Sequence, residues 1–248
     1  MNKSYLLQEL ASKYETKEFL KDDPSWFMHQ VNGASNQELL AFIASSLSYG
    51  KRELFFPKIQ NIMNIAEGDV FNWVKSGDFR RDIPNNENCY YRLYTNHTML
   101  SLLEAIKELI DNYGTLGDFV YQESADGYSA IIAITRYFSS YGIKTIIPKD
   151  ASSACKRICM FLRWMVRDSS PVDLGLWNFL DKRTLIIPLD THVLQEACDL
   201  GLLQNKTATM SAALKLTAKL RDIFPEDPTK GDFALFGYGI NKKRPILK

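Results

Sequence analysis

The sequence predicts an all-α fold, and three observations predict it. Apolar residues recur along most of the chain at the three- and four-residue spacing of a buried helix face. Residues that start helices (Ser, Thr, Asp) and glycines that end them punctuate those stretches. Alternating apolar and polar runs, the mark of half-buried strands, are hard to find.

In order, a first helix is expected near residues 4–13. Ser35 and Glu38 have the spacing of a capping box ahead of the run Glu38–Tyr49, which ends at Gly50 in the position that favours positive φ. Short helices follow near 52–66 and 69–75, and the Asn-, Asp- and Arg-rich stretch Gly77–Asn88 reads as an exposed excursion. Thr98 opens a helix to Tyr113 that Gly114 closes, with further helices near 116–122 and 127–140. After Gly142 a loop leads into a long helix beginning near Ala151, for which Asp150 is the expected N-cap. Pro188 blocks helix before Asp190, which caps a helix to Leu200 terminated by Gly201. Helices near 208–223 and 229–239, separated by Pro225 and Pro228, complete the chain.

With 248 residues, 46% hydrophobic and 24% charged, the chain has the composition of an ordinary globular protein. The expectation is one helical domain over 1–248, divisible into lobes of about 1–140 and 141–248 with the two termini sharing a lobe. No apolar run approaches the roughly 18 to 20 residues that span a bilayer, and the start Met1–Glu9 lacks the apolar stretch of a signal peptide. A cytoplasmic protein without membrane attachment, and a monomer, is therefore expected. Cys89, Cys155, Cys159 and Cys198 form no CxxC pair, and His29, His97 and His192 are scattered, so reduced thiols and no metal or other cofactor are expected.

Net charge +1 and a pI of about 7.6 argue against a generally basic, nucleic-acid-coating protein. Locally the balance differs. Residues 142–167 hold Lys144, Lys149, Lys156, Arg157, Arg163 and Arg167 against Asp150 alone, and Lys242, Lys243, Arg244 and Lys248 follow at the C-terminus. Such clusters build a basic face for polyanions or simply a solvated surface.

Chemistry concentrates in two segments. Lys156 lies near the start of the amphipathic run Ala154–Arg167, and Asp190 lies within Ile186–Val193. A lysine on an apolar-faced helix, near the cation Arg163, is a candidate amine nucleophile, and a carboxylate orients it or accepts its proton. The same two residues also read as a first-turn lysine lying over the core and an ordinary helix cap. Lys156, Met160, Arg163 and Arg167 fall on one helical stripe, and the amides around Ser152, Ser153 and Ala154 are placed to cradle phosphate, with Lys149 and Arg157 beside them. Farther on, Asp232 and Phe236 stand one helical turn apart and offer a polar group and a stacking ring for an extruded base.

Cys155–Met165 followed by Ile187–Val193 resembles, in order and near-equal spacing, the lysine helix and following aspartate segment of archaeal 8-oxoguanine DNA glycosylases, a branch of the helix-hairpin-helix glycosylase superfamily. Leu39–Gly50 is similar to that family's first cleft helix, and the whole chain resembles still more closely a bacterial family of about this length with no assigned function. The resemblance implies two helical lobes around a central cleft, and a glycosylase with abasic-site lyase activity acting on double-stranded DNA. It implies Lys156 as the Schiff-base lysine and Asp190 as the catalytic aspartate, with Arg163, Asp232 and Phe236 binding an oxidised purine such as 8-oxoguanine. The chain departs from the pattern where Ile147–Ser153 replaces a Gly-rich hairpin turn and where Gly50 replaces a glutamine. A non-catalytic protein that senses modified or single-stranded bases is the alternative. A helical protein with a smaller substrate or a protein partner, using Arg80, Arg81 and Tyr90–Tyr94 as a contact surface, is a third reading.

Overall fold

A computed structural model describes residues 2–204 and 207–243, with all side chains except those of Asn241 and Lys243; Arg244 and Lys248 of the basic C-terminus lie outside the described residues. The chain is mostly helical and divides into two compact units, one made of Met1–Lys21, Asp126–Tyr128 and Ala151–Lys248, the other of Asp22–Ala125 and Ser129–Asp150. Helix α1 (Lys3–Tyr14) opens the first unit.

The second unit is built on α2 (Ala34–Leu47), every residue of which from Glu38 to Leu47 is buried. Its sequence is apolar on all sides, so it has neighbours on all sides. These are a 3₁₀ turn (Pro24–His29), α3 (Arg52–Ile65), α4 (Val70–Ser76) and, farther along the chain, α7 (Leu116–Glu123). A short helix α5 (Phe79–Asp82), a two-stranded hairpin β1 (Cys89–Tyr91) and β2 (Tyr94–Thr95), the long α6 (Asn96–Tyr113) and most of α8 (Gly127–Ser139) complete the unit. Phe42 of α2 stacks on Phe138 of α8 with ring centroids 5.2 Å apart.

Glu38 does not close the expected capping box. The N-cap of α2 is Gly33, at φ 87°, and makes no side-chain cap. Instead the buried Glu38 carboxylate accepts hydrogen bonds from the amides of Leu116 and Gly117, each at 3.0 Å. The physical reason is burial: the first residues of α2 face solvent, which satisfies their amides, whereas Leu116 and Gly117 are buried and need an acceptor from the protein. A capping box does form at α6, between Thr95 and Thr98, so that helix starts before Thr98.

Two further expectations give way in this unit. The stretch 77–88 is anchored: Phe79 and Ile83 are buried, and the Trp73 indole N–H donates to Asp82 at 2.7 Å. The hairpin was illegible because its turn, Arg92–Leu93, lacks glycine or asparagine; Arg92 itself adopts a φ of 53°.

In the first unit, α9 (Lys156–Val166) is the central helix, with every residue from Ile158 to Val166 buried. It is followed by α10 (Thr191–Asp199), α11 (Met210–Arg221) and α12 (Gly231–Lys243). Helix α1 packs along α12, where Gly237 allows the Tyr14 ring to lie against the backbone; a methyl group there would come within 2.2 Å of the ring. The last carbonyls of α9 are taken up by the loop beyond it, Leu174 N–H donating to Trp164 O and Trp177 N–H to Met165 O, both at 2.8 Å.

The start of α9 differs from expectation. It begins at Lys156 rather than near Ala151, and its N-cap is Cys155, not Asp150. The backbone of Ser152 and Ser153 is already engaged: Ser153 bridges to Thr209 and Ser152 O accepts from Met210 N–H at 3.3 Å. Ser152 and Ser153 are therefore not helix-terminal residues. No helix among the described residues is long and apolar enough to cross a membrane.

Because the Glu38 carboxylate accepts from both the Leu116 and the Gly117 amides, Glu38→Ala is expected to lower the unfolding free energy by about 3 kcal/mol. Urea denaturation measures it. A loss under about 1 kcal/mol would contradict the capping role.

Candidate active site around Lys156 and Asp190

Lys156 is the first residue of α9, and its position is set by the residue before it. Cys155 is buried in the left-handed region, φ 45° and ψ 36°, a conformation costing a non-glycine residue about 1 kcal/mol or more. The chain thus turns sharply into the helix, and Cys159 N–H donates to Cys155 O at 3.0 Å to begin it.

Asp190 is placed from the opposite direction. Leu185, Ile186, Ile187 and Leu189 are buried in an extended segment, and Ile187 N–H donates to the Thr217 hydroxyl of α11 at 3.1 Å. Thr217 in turn donates to Ala213 O at 2.8 Å. The segment ends at Asp190, whose Oδ1 caps α10 by accepting from Val193 N–H at 2.8 Å. Its other oxygen, Oδ2, lies 3.3 Å from Lys156 Nζ. The side chains are 35% and 32% exposed, so the pair meets where a solute can reach it. The two sequence readings of Asp190, helix cap and lysine partner, are both met by one carboxylate. An amine and a carboxylate at this distance can exchange a proton directly.

Arg163 lies two turns along α9 and is 2% exposed. Its guanidinium pairs with Asp173 at 3.3 Å and with Asp232, and lies 4.6 Å from the centroid of the Phe233 ring. Arg167, equally buried, pairs with Asp173, with Asp227 at 2.8 Å and with Glu15 at 2.6 Å. Burial disfavours the Arg167 charge, but Asp173, Asp227 and Glu15 more than reverse that and hold the guanidinium above its ordinary range. Two of the six cations of the basic stretch are thus neutralised inside the protein. Its remaining cations are exposed (Lys144, Lys149) or half-buried (Lys156, Arg157), with Lys149 belonging to the second unit and the exposed Ser152 and Ser153 to the first.

Of the other expected site residues, Asp232 and Phe236 lie on α12, which packs against α10. Phe236 is 43% exposed and meets Tyr14 and Phe19 edge-on, with centroids 6.0 and 4.9 Å away. Sequence reasoning missed Glu15, Asp173, Asp227 and Thr217. Their partners are distant along the chain, and nothing in their local spacing announces the contacts.

The two carboxylates of interest have opposite energetic standing. Asp173→Ala removes the carboxylate shared by two buried guanidiniums, leaving Arg163 with Asp232 and Arg167 with Asp227 and Glu15, and is expected to cost about 3 kcal/mol. Asp190→Asn keeps the helix cap and loses a half-exposed ion pair, so its cost is expected to stay below about 1 kcal/mol. Chemical denaturation of both variants checks the contrast, and equal losses would overturn it.

No curated protein and no solved structure matches the chain. A family model described as "Protein of unknown function (DUF2400)" matches residues 23–241, a span that holds Lys156, Arg163, Asp190, Asp232 and Phe236 and begins after Glu15. Since this span covers most of the sequence, the chain belongs to the DUF2400 family.

Proposed function

We propose that the protein is a DNA base-excision-repair glycosylase of the helix-hairpin-helix type with abasic-site lyase activity, and that an oxidised purine such as 8-oxoguanine is its base. The observation that carries the proposal is the Lys156 amine 3.3 Å from the Asp190 carboxylate, half-exposed, within the two segments that resemble the archaeal enzymes.

In this reading Asp190 accepts one proton from the Lys156 ammonium, which frees the nitrogen lone pair. The amine attacks C1′ of an extruded nucleotide as the bond from C1′ to the base nitrogen breaks, and the base leaves with that electron pair and takes up a proton. Asp190 hands the proton it took from Lys156 to the departing base, and the carboxylate so restored stabilises the positive charge that develops at C1′. Opening of the sugar ring converts the aminal into an imine. Loss of a C2′ proton then expels the 3′ phosphate, and water releases Lys156. Asp232, held by Arg163, and Phe236 are the polar group and the ring offered to the base; Arg163, being buried, acts through Asp232. Lys149, Ser152, Ser153 and Arg157 are the proposed backbone contacts, with the serines acting through hydroxyls or loop amides rather than a helix end.

A second reading, a non-catalytic sensor of modified or single-stranded bases, is favoured by the inward turn of Arg163 and Arg167 and by the lack of a helix terminus at Ser152 and Ser153. Borohydride reduction with 8-oxoguanine and abasic duplexes separates the two. A covalent adduct is expected that Lys156→Gln abolishes, with turnover lowered about 100-fold or more in Asp190→Asn. No adduct across a broad panel of lesions sinks the enzyme reading, and salt-dependent binding that survives both substitutions then supports the sensor.

A further inference from the structure

Phe19 lies on a 3₁₀ turn (Lys17–Asp22) that follows α1 and has no buried residue, yet its ring makes two close aromatic contacts. Its centroid is 4.9 Å from that of Phe233 and 4.9 Å from that of Phe236, at interplanar angles of 69° and 71°. Tyr14, at the end of α1, meets Phe236 as well, 6.0 Å away at 83°. Edge-to-face pairs are directional, because the positive edge of one ring seeks the negative face of the other. Phe236 is 43% exposed, and a helix by itself leaves such a ring a choice of rotamers. Two near-perpendicular neighbours limit that choice.

Phe19 is anchored on its inner side. Phe233 is fully buried, and the Arg163 and Arg167 guanidiniums lie 4.6 and 5.3 Å from its ring centroid, where the ring quadrupole attracts them. Contacts therefore run from the Asp232–Arg163 pair through Phe233 and Phe19 to Phe236. Asp232 and Phe236 are one helical turn apart on α12, and Phe19 ties the exposed ring to the framework that holds the carboxylate. Tyr14 also packs on Gly237, so replacing it disturbs the contact between α1 and α12. Phe19 is half-buried and open to substitution.

We infer that Phe19 is a positioning residue for base recognition: it fixes the plane of the Phe236 ring on which an extruded base stacks, without touching the base. The inference rests on the glycosylase reading and deepens it. Phe19, Phe233, Phe236, Arg163 and Asp232 belong to the first unit, as do Lys156 and Asp190. A ring already held in place gives its stacking energy to the base without first losing rotational freedom. The effect falls on holding the base rather than on the lysine chemistry, since a nucleotide that has lost its base gains nothing from the ring.

Two reactions of the full chain separate these roles: excision of 8-oxoguanine from a duplex and cleavage at a preformed abasic site. Phe19→Ala is expected to lower kcat/KM for excision about tenfold, mainly through KM, and to leave abasic cleavage within about twofold of the unsubstituted chain. Phe19→Leu keeps apolar bulk against Phe233 without a ring edge and is expected to show the same split. Phe19→Tyr keeps the ring and is expected to restore excision to within about twofold. Phe236→Ala is expected to lower excision about tenfold or more, and adding Phe19→Ala to it to cause no further loss, since the ring to be oriented is gone. Excision unchanged in Phe19→Ala and Phe19→Leu, equal losses in both reactions, or losses that multiply in the double variant overturn the positioning role and leave the glycosylase reading standing. An unsubstituted chain that acts on neither duplex overturns both.

Discussion

Two arginines buried on the central helix of the first unit are the constraint to which much of that unit answers. Removing a guanidinium from water costs several kcal/mol unless carboxylates surround it. Arg163 and Arg167 therefore draw Asp173 from the loop after α9, Asp227 from the turn before α12, Asp232 from α12 itself and Glu15 from the end of α1. Asp173 sits between them, giving one oxygen to each. Segments far apart in the chain are thereby fixed to one helix, and the N-terminal residue of that helix is Lys156.

The site gains its order from backbone contacts close to each of its residues. Asp190 does not depend on Lys156 for its orientation, because the Val193 amide and the buried segment tied to Thr217 already hold it. Lys156 is likewise positioned by the left-handed turn at Cys155 rather than by its partner. The lysine amine and the carboxylate are thus brought together by two independent backbone devices, which leaves their ion pair free to open when another group competes for either member. A half-exposed pair of this kind adds little to stability.

The helical layout is largely legible in the sequence. Helix positions followed from apolar spacing because a helix must bury one face, and Asp190 was recognisable as a cap because Pro188 excludes helix just before it. The role of Glu38 departs from its local sequence signal for a physical reason. A carboxylate three residues after a serine fits a capping box, but which amides it serves depends on which amides lose their water, and that is decided when α7 packs against α2. The same holds for the start of α9, where Asp150 has the chemistry of a cap but Ser152 and Ser153 are committed to the start of α11.

By itself the sequence determined the helical class and the order of the helices, because these depend on local periodicity and capping chemistry, whereas the meeting of Lys156 with Asp190 was only implied by a resemblance until packing placed them together. Only the tertiary structure decided that Arg163 and Arg167 turn inward, that Glu38 serves a distant helix, and that Phe19 meets Phe236. Charge and hydrogen-bonding capacity are written in the residue, but whether water or protein satisfies them is settled by burial.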